Sequence, residues 1–229
     1  MPRAVQTATE DRLREAVAAF GRADYDTALP IFEHAAESGN PDAQAWLGSF
    51  YANGTGVVPS LATAFAWYSK AAEQGHVQAA TNVGAMLSMG QGVPQDRTAG
   101  VAWLQKAADA GDAMARYNLA TLYAKGGEIP QDNARAAELY RLAAETGHFP
   151  SQARLGHLYA NGIGVAKDRV SAFAWLSLAA GHGVGTALNA LEGLIAQMSA
   201  EEKGAGQAMA QRWRGRSGPG HATINPVPA

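Results

Sequence analysis

Six histidines and no cysteine set the first limit on the chemistry open to this chain. Without cysteine there is no disulfide, no thiolate metal site and no cysteine nucleophile. A serine or threonine nucleophile would need a histidine close by to take its proton. The candidates are His34, His76, His148, His157, His182 and His221. His76, His148 and His182 fall in or beside turns, where polar side chains are expected at a surface. No His-Glu-x-x-His, Ser-x-x-Lys or Gly-x-x-x-x-Gly-Lys occurs, so the zinc-protease, penicillin-recognising and phosphate-loop patterns are all missing. We therefore expect no catalytic residues, no cofactor and no metal.

Two other groups could do chemistry. Asp24, Ser60, Asp96, Asp132 and Asp168 form a column with a constant step of 36 residues. A ladder of carboxylates suggests cations, but helices about 10 Å apart hold such groups too far from one another to share an ion. Each of these residues also stands just before a helical pattern. There its side-chain oxygen can accept an unpaired backbone N–H, a cap worth ~1 kcal/mol. Capping is the reading that the spacing favours. The second group is Arg212, Trp213, Arg214 and Arg216, where cations beside an aromatic ring could grip phosphate and stack on bases. Cations also collect at helix C-termini, where they complement the dipole. We prefer that reading and expect no nucleic-acid partner.

The elements that carry these residues repeat. Ala-Ala pairs at 35, 71, 107, 143 and 179, and glycines at 39, 75, 111, 147 and 183, keep the same 36-residue step. A period in the thirties marks a stack of helix-turn-helix units. Each unit touches mainly its neighbours, which yields an extended surface instead of one deep pocket. In the unit 41–75, a first helix carries the stripe Ala43, Leu47, Gly48 and Tyr51. Gly54 and Gly56 break it, being able to take the positive φ that other residues resist. A second helix carries Ala64, Trp67, Tyr68, Ala71 and Ala72, and Gly75 ends it in a left-handed conformation. Trp67, Trp103 and Trp175 are expected to be packing residues.

The totals agree with an interaction module. Lys plus Arg (18) nearly balances Asp plus Glu (20), so no basic excess points to nucleic acid. No apolar run approaches a membrane span, and no apolar signal core follows Met1, so we expect no membrane insertion and a cytoplasmic location. The location would be periplasmic if a leader has been removed.

At these motifs the sequence resembles the Sel-one-like repeat (SLR) family, relatives of the tetratricopeptide repeats. The resemblance lies in Ala43…Leu47-Gly48…Tyr51, Gly54-Thr55-Gly56-Val57 and Ala64…Trp67…Lys70-Ala71-Ala72…Gly75. It recurs in Gly90-Gln91-Gly92-Val93 and Gly162-Ile163-Gly164-Val165. Two units depart from the pattern. Gly21 to Ala28 lacks the long loop and looks like a plain tetratricopeptide turn, and Lys125-Gly126-Gly127-Glu128-Ile129 has its second glycine moved. That second loop is expected to follow a different backbone path.

The resemblance implies an all-α fold, a right-handed α-α superhelix with a C-terminal capping helix. We expect one solenoid domain over 1–214. It would hold an opening helix pair at 8–39, units at 41–75, 77–111, 113–147 and 149–183, and closing helices at 185–214. Ser199 and Glu202 have the capping-box spacing for the last helix. A tail at 215–229, rich in Gly and Pro, reads as disordered.

The family also implies a non-catalytic scaffold or adaptor that binds a protein or peptide on the concave face lined by first helices. A β-lactamase-like hydrolase of the cysteine-rich SLR type is the alternative, and the missing cysteines disfavour it. Positions about two residues off the core stripe should face the groove. On that argument the candidate partner-binding residues are Ser49, Asn53, Thr81, Met89, Tyr117, Thr121, Lys125, His157 and Asn161, with Ala45, Ala52, Ala85, Ser88, Ala124, Ala153 and Ala160 in the same columns.

Overall fold

A computed structural model describes residues 3–216, and among them there are twelve helices and no strand. The opening pair is α1 (Arg3–Gly21) and α2 (Tyr25–Glu37). The units follow as α3 (Pro41–Asn53) with α4 (Leu61–Glu73), α5 (Val77–Met89) with α6 (Arg97–Asp109), α7 (Ala113–Lys125) with α8 (Asn133–Glu145), and α9 (Phe149–Asn161) with α10 (Arg169–Gly181). Then come α11 (Gly185–Ile195) and α12 (Ala200–Arg216). The helices fall into two compact units, one ending at Ala107 and one beginning at Ala108. The tail expected at 215–229 lies outside the described residues from 217 onward, and α12 carries on through 215 and 216.

Local chemistry explains where the helices begin. In the Asp24 column every member caps a second helix: Asp24 accepts from Thr27 N, Ser60 from Thr63 N, Asp96 from Ala99 N, Asp132 from Arg135 N and Asp168 from Ser171 N. Ser199 and Glu202 close the reciprocal capping box of α12, with Glu202 N donating to Ser199 Oγ and Ser199 N donating to Glu202 Oε2. Where the helices end, the repeat glycines take positive φ, +92° at Gly75 and +97° at Gly111. The atypical loop does run differently. Gly54, Gly90 and Gly162 follow α3, α5 and α9 with ψ of 31°, 37° and 39°, whereas Gly126 follows α7 with ψ −160°.

The core of the first unit combines a floor of fully buried alanines with Phe32, Leu47 and Phe50. Phe20, Tyr25 and Trp46 pack against it, and Phe20 makes an edge contact with Phe50 at 5.4 Å. Small residues let α3 meet α4, since a Cβ on Gly48 would overlap the Tyr68 ring. In the second unit Phe173, Leu176, Ala187, Leu194 and Met198 form a core under α11. There α12 covers α10: a Cβ on Gly206 would strike Phe173, and Trp213 lies 4.9 Å from Trp175.

The tryptophans expected to act alike do not. Trp175 is buried, whereas Trp67 and Trp103 are half-buried and lie under Lys70 and Lys106, whose ammonium groups stand 4.0 and 5.1 Å from the ring centres. A cation over the face of a tryptophan is favourable and keeps that face at the surface.

Candidate functional site

A second capping column, on the same 36-residue step, opens the first helices. Asn40, His76, Asp112 and His148 accept from Ala43 N, Ala79 N, Ala115 N and Ser151 N, while Val184 in the fifth place has no side-chain cap. The column is legible in the sequence, but histidine is an unusual cap and hides it. Acting as an acceptor through Nδ1 requires a neutral ring. Burial pushes the pKa of both histidines down, partly opposed by Asp42 for His76 and by Asp112 for His148.

These caps sit beside clefts. In the first unit a cleft of about 540 Å³ is lined by Leu13, Arg14 and Val17 of α1, Asp42, Ala45 and Trp46 of α3, and Gln78 and Asn82 of α5, with Phe32, Tyr68 and His76. Trp46 is held in it from two sides, stacked on Phe32 at 5.1 Å and edge-on to Phe20 at 4.8 Å. In the second unit a smaller cleft of about 220 Å³ is lined by Tyr117 of α7, Pro150, Ala153, Arg154 and His157 of α9, and Thr186 and Ala190 of α11.

Both clefts therefore lie on the first helices. The lining positions fall at 42, 45 and 46 and at their 36-step equivalents: 78 and 82, 117, then 150, 153 and 154, then 186 and 190. Ala45, Tyr117 and Ala153 belong to this set, and His157, in the Ser49 column, also lines the second cleft. Trp46, Asn82 and Arg154 share one column that the sequence reading passed over. Their types differ too much to look like a repeat.

Several expected contact residues lie elsewhere. Ser49 and Thr81 are buried, at 1% and 4% exposure, and cannot offer a side chain to a partner. Thr81 donates its hydroxyl to Val77 O. Ser49 lies by the hydroxyl of Tyr68, whose pKa is raised by burial and drawn partly back by Ser49. Thr121 is half-buried and shares a hydrogen bond of 2.9 Å with the Tyr140 hydroxyl. Thr121 is thereby engaged inside the fold, and Ser49 Oγ accepts from Asn53 Nδ2 at 3.2 Å.

Asn53, Met89, Lys125 and Asn161 are exposed but do not line the clefts; Asn161 donates back to His157 O. Tyr117 is a packing residue as well as a lining one, with its ring 5.6 Å from Tyr140 and 5.3 Å from His148.

Among the described residues no group of three or more His, Asp or Glu gathers to hold a metal ion, and no helix is long and apolar enough to cross a membrane. Trp213 is half-buried against Trp175, so its ring is engaged in the fold and is not a free stacking platform between Arg212 and Arg214.

Comparison with known proteins places this geometry. The Sel1 repeat model matches at residues 41–76, 77–112, 113–148 and 150–184, more than half of the chain. No curated protein matches it. Among solved structures, a protective antigen of uropathogenic Escherichia coli displaying an SLR fold is 29% identical with a TM-score of 0.85, over 94% of this chain and 47% of that one. A Sel1 repeat protein from Oxalobacter formigenes is 38% identical with a TM-score of 0.66, over 73% of this chain and 49% of that one. A sel1 repeat protein from Klebsiella pneumoniae shares the fold at 20% identity and a TM-score of 0.56, over 85% of this chain and 96% of that one. The chain thus spans about half the length of the first two. Sel1 repeat proteins are generally non-catalytic scaffolds for protein interaction. Four repeats in register, with their loops and caps, show that this chain belongs to the Sel1 repeat family.

Proposed function

We propose that this chain is a non-catalytic scaffold or adaptor that takes a peptide or protein partner on the face presented by its first helices. The observation that carries this reading is the Trp46 cleft. Its volume lies in the range of ligand-sized sites, and its walls mix apolar surface (Leu13, Val17, Ala45) with a few polar groups at Arg14, Asp42 and Asn82. Interface hot spots favour tryptophan, tyrosine and arginine, and the two clefts supply Trp46, Tyr117 and Arg154. Trp46 is fixed by Phe32 and Phe20 before any partner arrives, so little side-chain entropy is lost on binding.

The test is calorimetry with a partner captured from the source organism. Trp46→Ala should weaken binding by about tenfold or more, the size of a hot-spot truncation. Leu61→Ala, at an exposed site on the second helix α4, should leave binding unchanged. Equal losses from both variants would contradict the proposal.

A further inference from the structure

Several arginines of this chain are already engaged. Arg14 pairs with Asp11, Arg135 with Glu138, Arg141 with Glu145 and Arg169 with Glu202, and Arg116 donates to Ala108 O. Arg154 is not. It lies exposed on α9 at the wall of the second unit's cleft, and among the described residues it has no ion pair and no hydrogen bond to a protein group. No residue lining that cleft is acidic. Its other polar side chains, Tyr117, His157 and Thr186, can each donate a hydrogen bond. Burial raises the pKa of Tyr140, and the Thr121 hydrogen bond and the charge of Arg154 draw it partly back. Tyr140 packs on Tyr117 with ring centres 5.6 Å apart, so the positive charge is felt at the wall that Tyr117 forms. The first unit's cleft differs in chemistry. Its arginine and its carboxylate are both answered within the fold, Arg14 by Asp11 and Asp42 by His76.

We infer that the Arg154 cleft receives the side-chain carboxylate of an acidic segment in a partner polypeptide. The inference rests on the reading that the first helices present the binding face, and it adds what that face selects at this place. A guanidinium presents parallel N–H donors that match the two oxygens of a carboxylate, which makes the pairing selective as well as favourable. Charge narrows the choice further. One permanent cation, with no lysine or second arginine beside it in the cleft, balances one negative charge, whereas a phosphate brings about −1.5 to −2. A cationic side chain would be repelled, and a neutral one would leave Arg154 unanswered. The size is that of one side chain. At about 220 Å³ the cleft is smaller than the ~300 Å³ at which pockets for whole small molecules begin. Pro150, Val184 and Ala190 at its walls are not fully buried and offer apolar surface for the methylene stem of a glutamate.

The probe is the tripeptide Ala-Glu-Ala, blocked at both ends and titrated into the full ¹⁵N-labelled chain. The readouts are the Arg154 Nε–H and Thr186 backbone N–H resonances. Blocked Ala-Gln-Ala removes the charge alone, Ala-Lys-Ala reverses it, and Ala-phosphoserine-Ala raises it. The Glu peptide should bind about fivefold more tightly than the Gln peptide, the upper range of a solvent-exposed ion pair, and the Lys peptide should shift neither resonance. Arg154→Gln, read at Thr186, should bring the Glu and Gln peptides to equal affinity. It should not lower the melting temperature, because the charge of Arg154 has no ion-pair partner in the fold. Arg212→Gln removes an exposed arginine of α12 and should leave the preference intact. Equal affinity of the parent chain for the Glu and Gln peptides, or no shift at tens of millimolar, overturns the inference. Tighter binding of the phosphoserine peptide, or an equal loss from Arg212→Gln, overturns it as well. A partner that still crosslinks from Ala153 after such a result would leave the first-helix face standing and remove only the carboxylate assignment.

Discussion

The ring of Phe32 stacks on that of Trp46, centroids 5.1 Å apart and planes at 21°. Phe32 is fully buried in α2 and Trp46 lines the cleft from α3, so this contact joins the core of the first unit to its candidate binding surface. Stability and binding should therefore separate by residue. Phe32→Ala should cost ~3–5 kcal/mol of folding free energy, as large-to-small changes of buried aromatics do. Trp46→Ala should cost less, because Trp46 is only partly buried. Denaturant unfolding of the two variants compares them directly; a larger loss for Trp46→Ala would make Trp46 the core residue.

The tryptophans of the second helices should rank by burial. Trp175→Ala removes a ring that is 4% exposed and packed on Trp213, at a cost of ~3–5 kcal/mol. Trp103 is half-buried under Lys106, and Trp103→Ala should cost roughly half as much. Thermal melts of the two variants would settle the order.

The repeat glycines should fail for different reasons. Gly111 has φ +97° with only the Arg116 guanidinium within 4 Å of an added Cβ, so the cost of Gly111→Ala is the ~1–2 kcal/mol of a left-handed backbone. Gly111→Val should cost more, because its branched Cβ stiffens the chain further. At Gly164 a Cβ would run into the backbone carbonyl of Asn133, which cannot swing aside as a side chain can. Gly164→Ala should therefore melt below Gly111→Ala. Equal melting temperatures would show that the Gly164 loop has room to move.

The histidine caps predict a pH dependence. The folded-state pKa values of His76 and His148 lie below the ordinary 6.5, so the unfolded chain takes up protons first as pH falls. The stability these caps contribute is present above pH 6.5 and is lost as pH falls through the lowered folded values. Protonation of Nδ1 also ends its role as acceptor for Ala79 N and Ser151 N. Replacing both with asparagine, the residue that caps α3, should flatten the melting temperature between pH 7.5 and pH 5 relative to the parent chain. A double variant with an unchanged slope would place the pH dependence on other groups.

The 36-residue step made the helix order, the Asp24 column of caps and the displaced Gly126 loop legible, because each depends on backbone chemistry that a residue type announces. The candidate surface was less legible. Of the expected positions, Ala45, Tyr117, Ala153 and His157 line the clefts, whereas Ser49, Thr81 and Thr121 do not. Ser49 is buried, and the Thr121 hydroxyl is drawn into the fold by that of Tyr140. No single-helix pattern shows that pairing, since it depends on the neighbouring helix 19 residues away. Trp46, Asn82 and Arg154 went unnoticed because a binding column is free to vary in type, whereas a packing column is not.

Site-specific photo-crosslinking in the source organism tests most directly whether a partner engages the first-helix face. A photoreactive residue would be placed at Asn82 and Ala153, which line the clefts, and at Glu73 and Glu138, which are exposed on the second helices α4 and α8. The account predicts a shared protein adduct from Asn82 or Ala153 and none above background from Glu73 and Glu138. An adduct from Glu73 or Glu138 with neither cleft position reacting would contradict it.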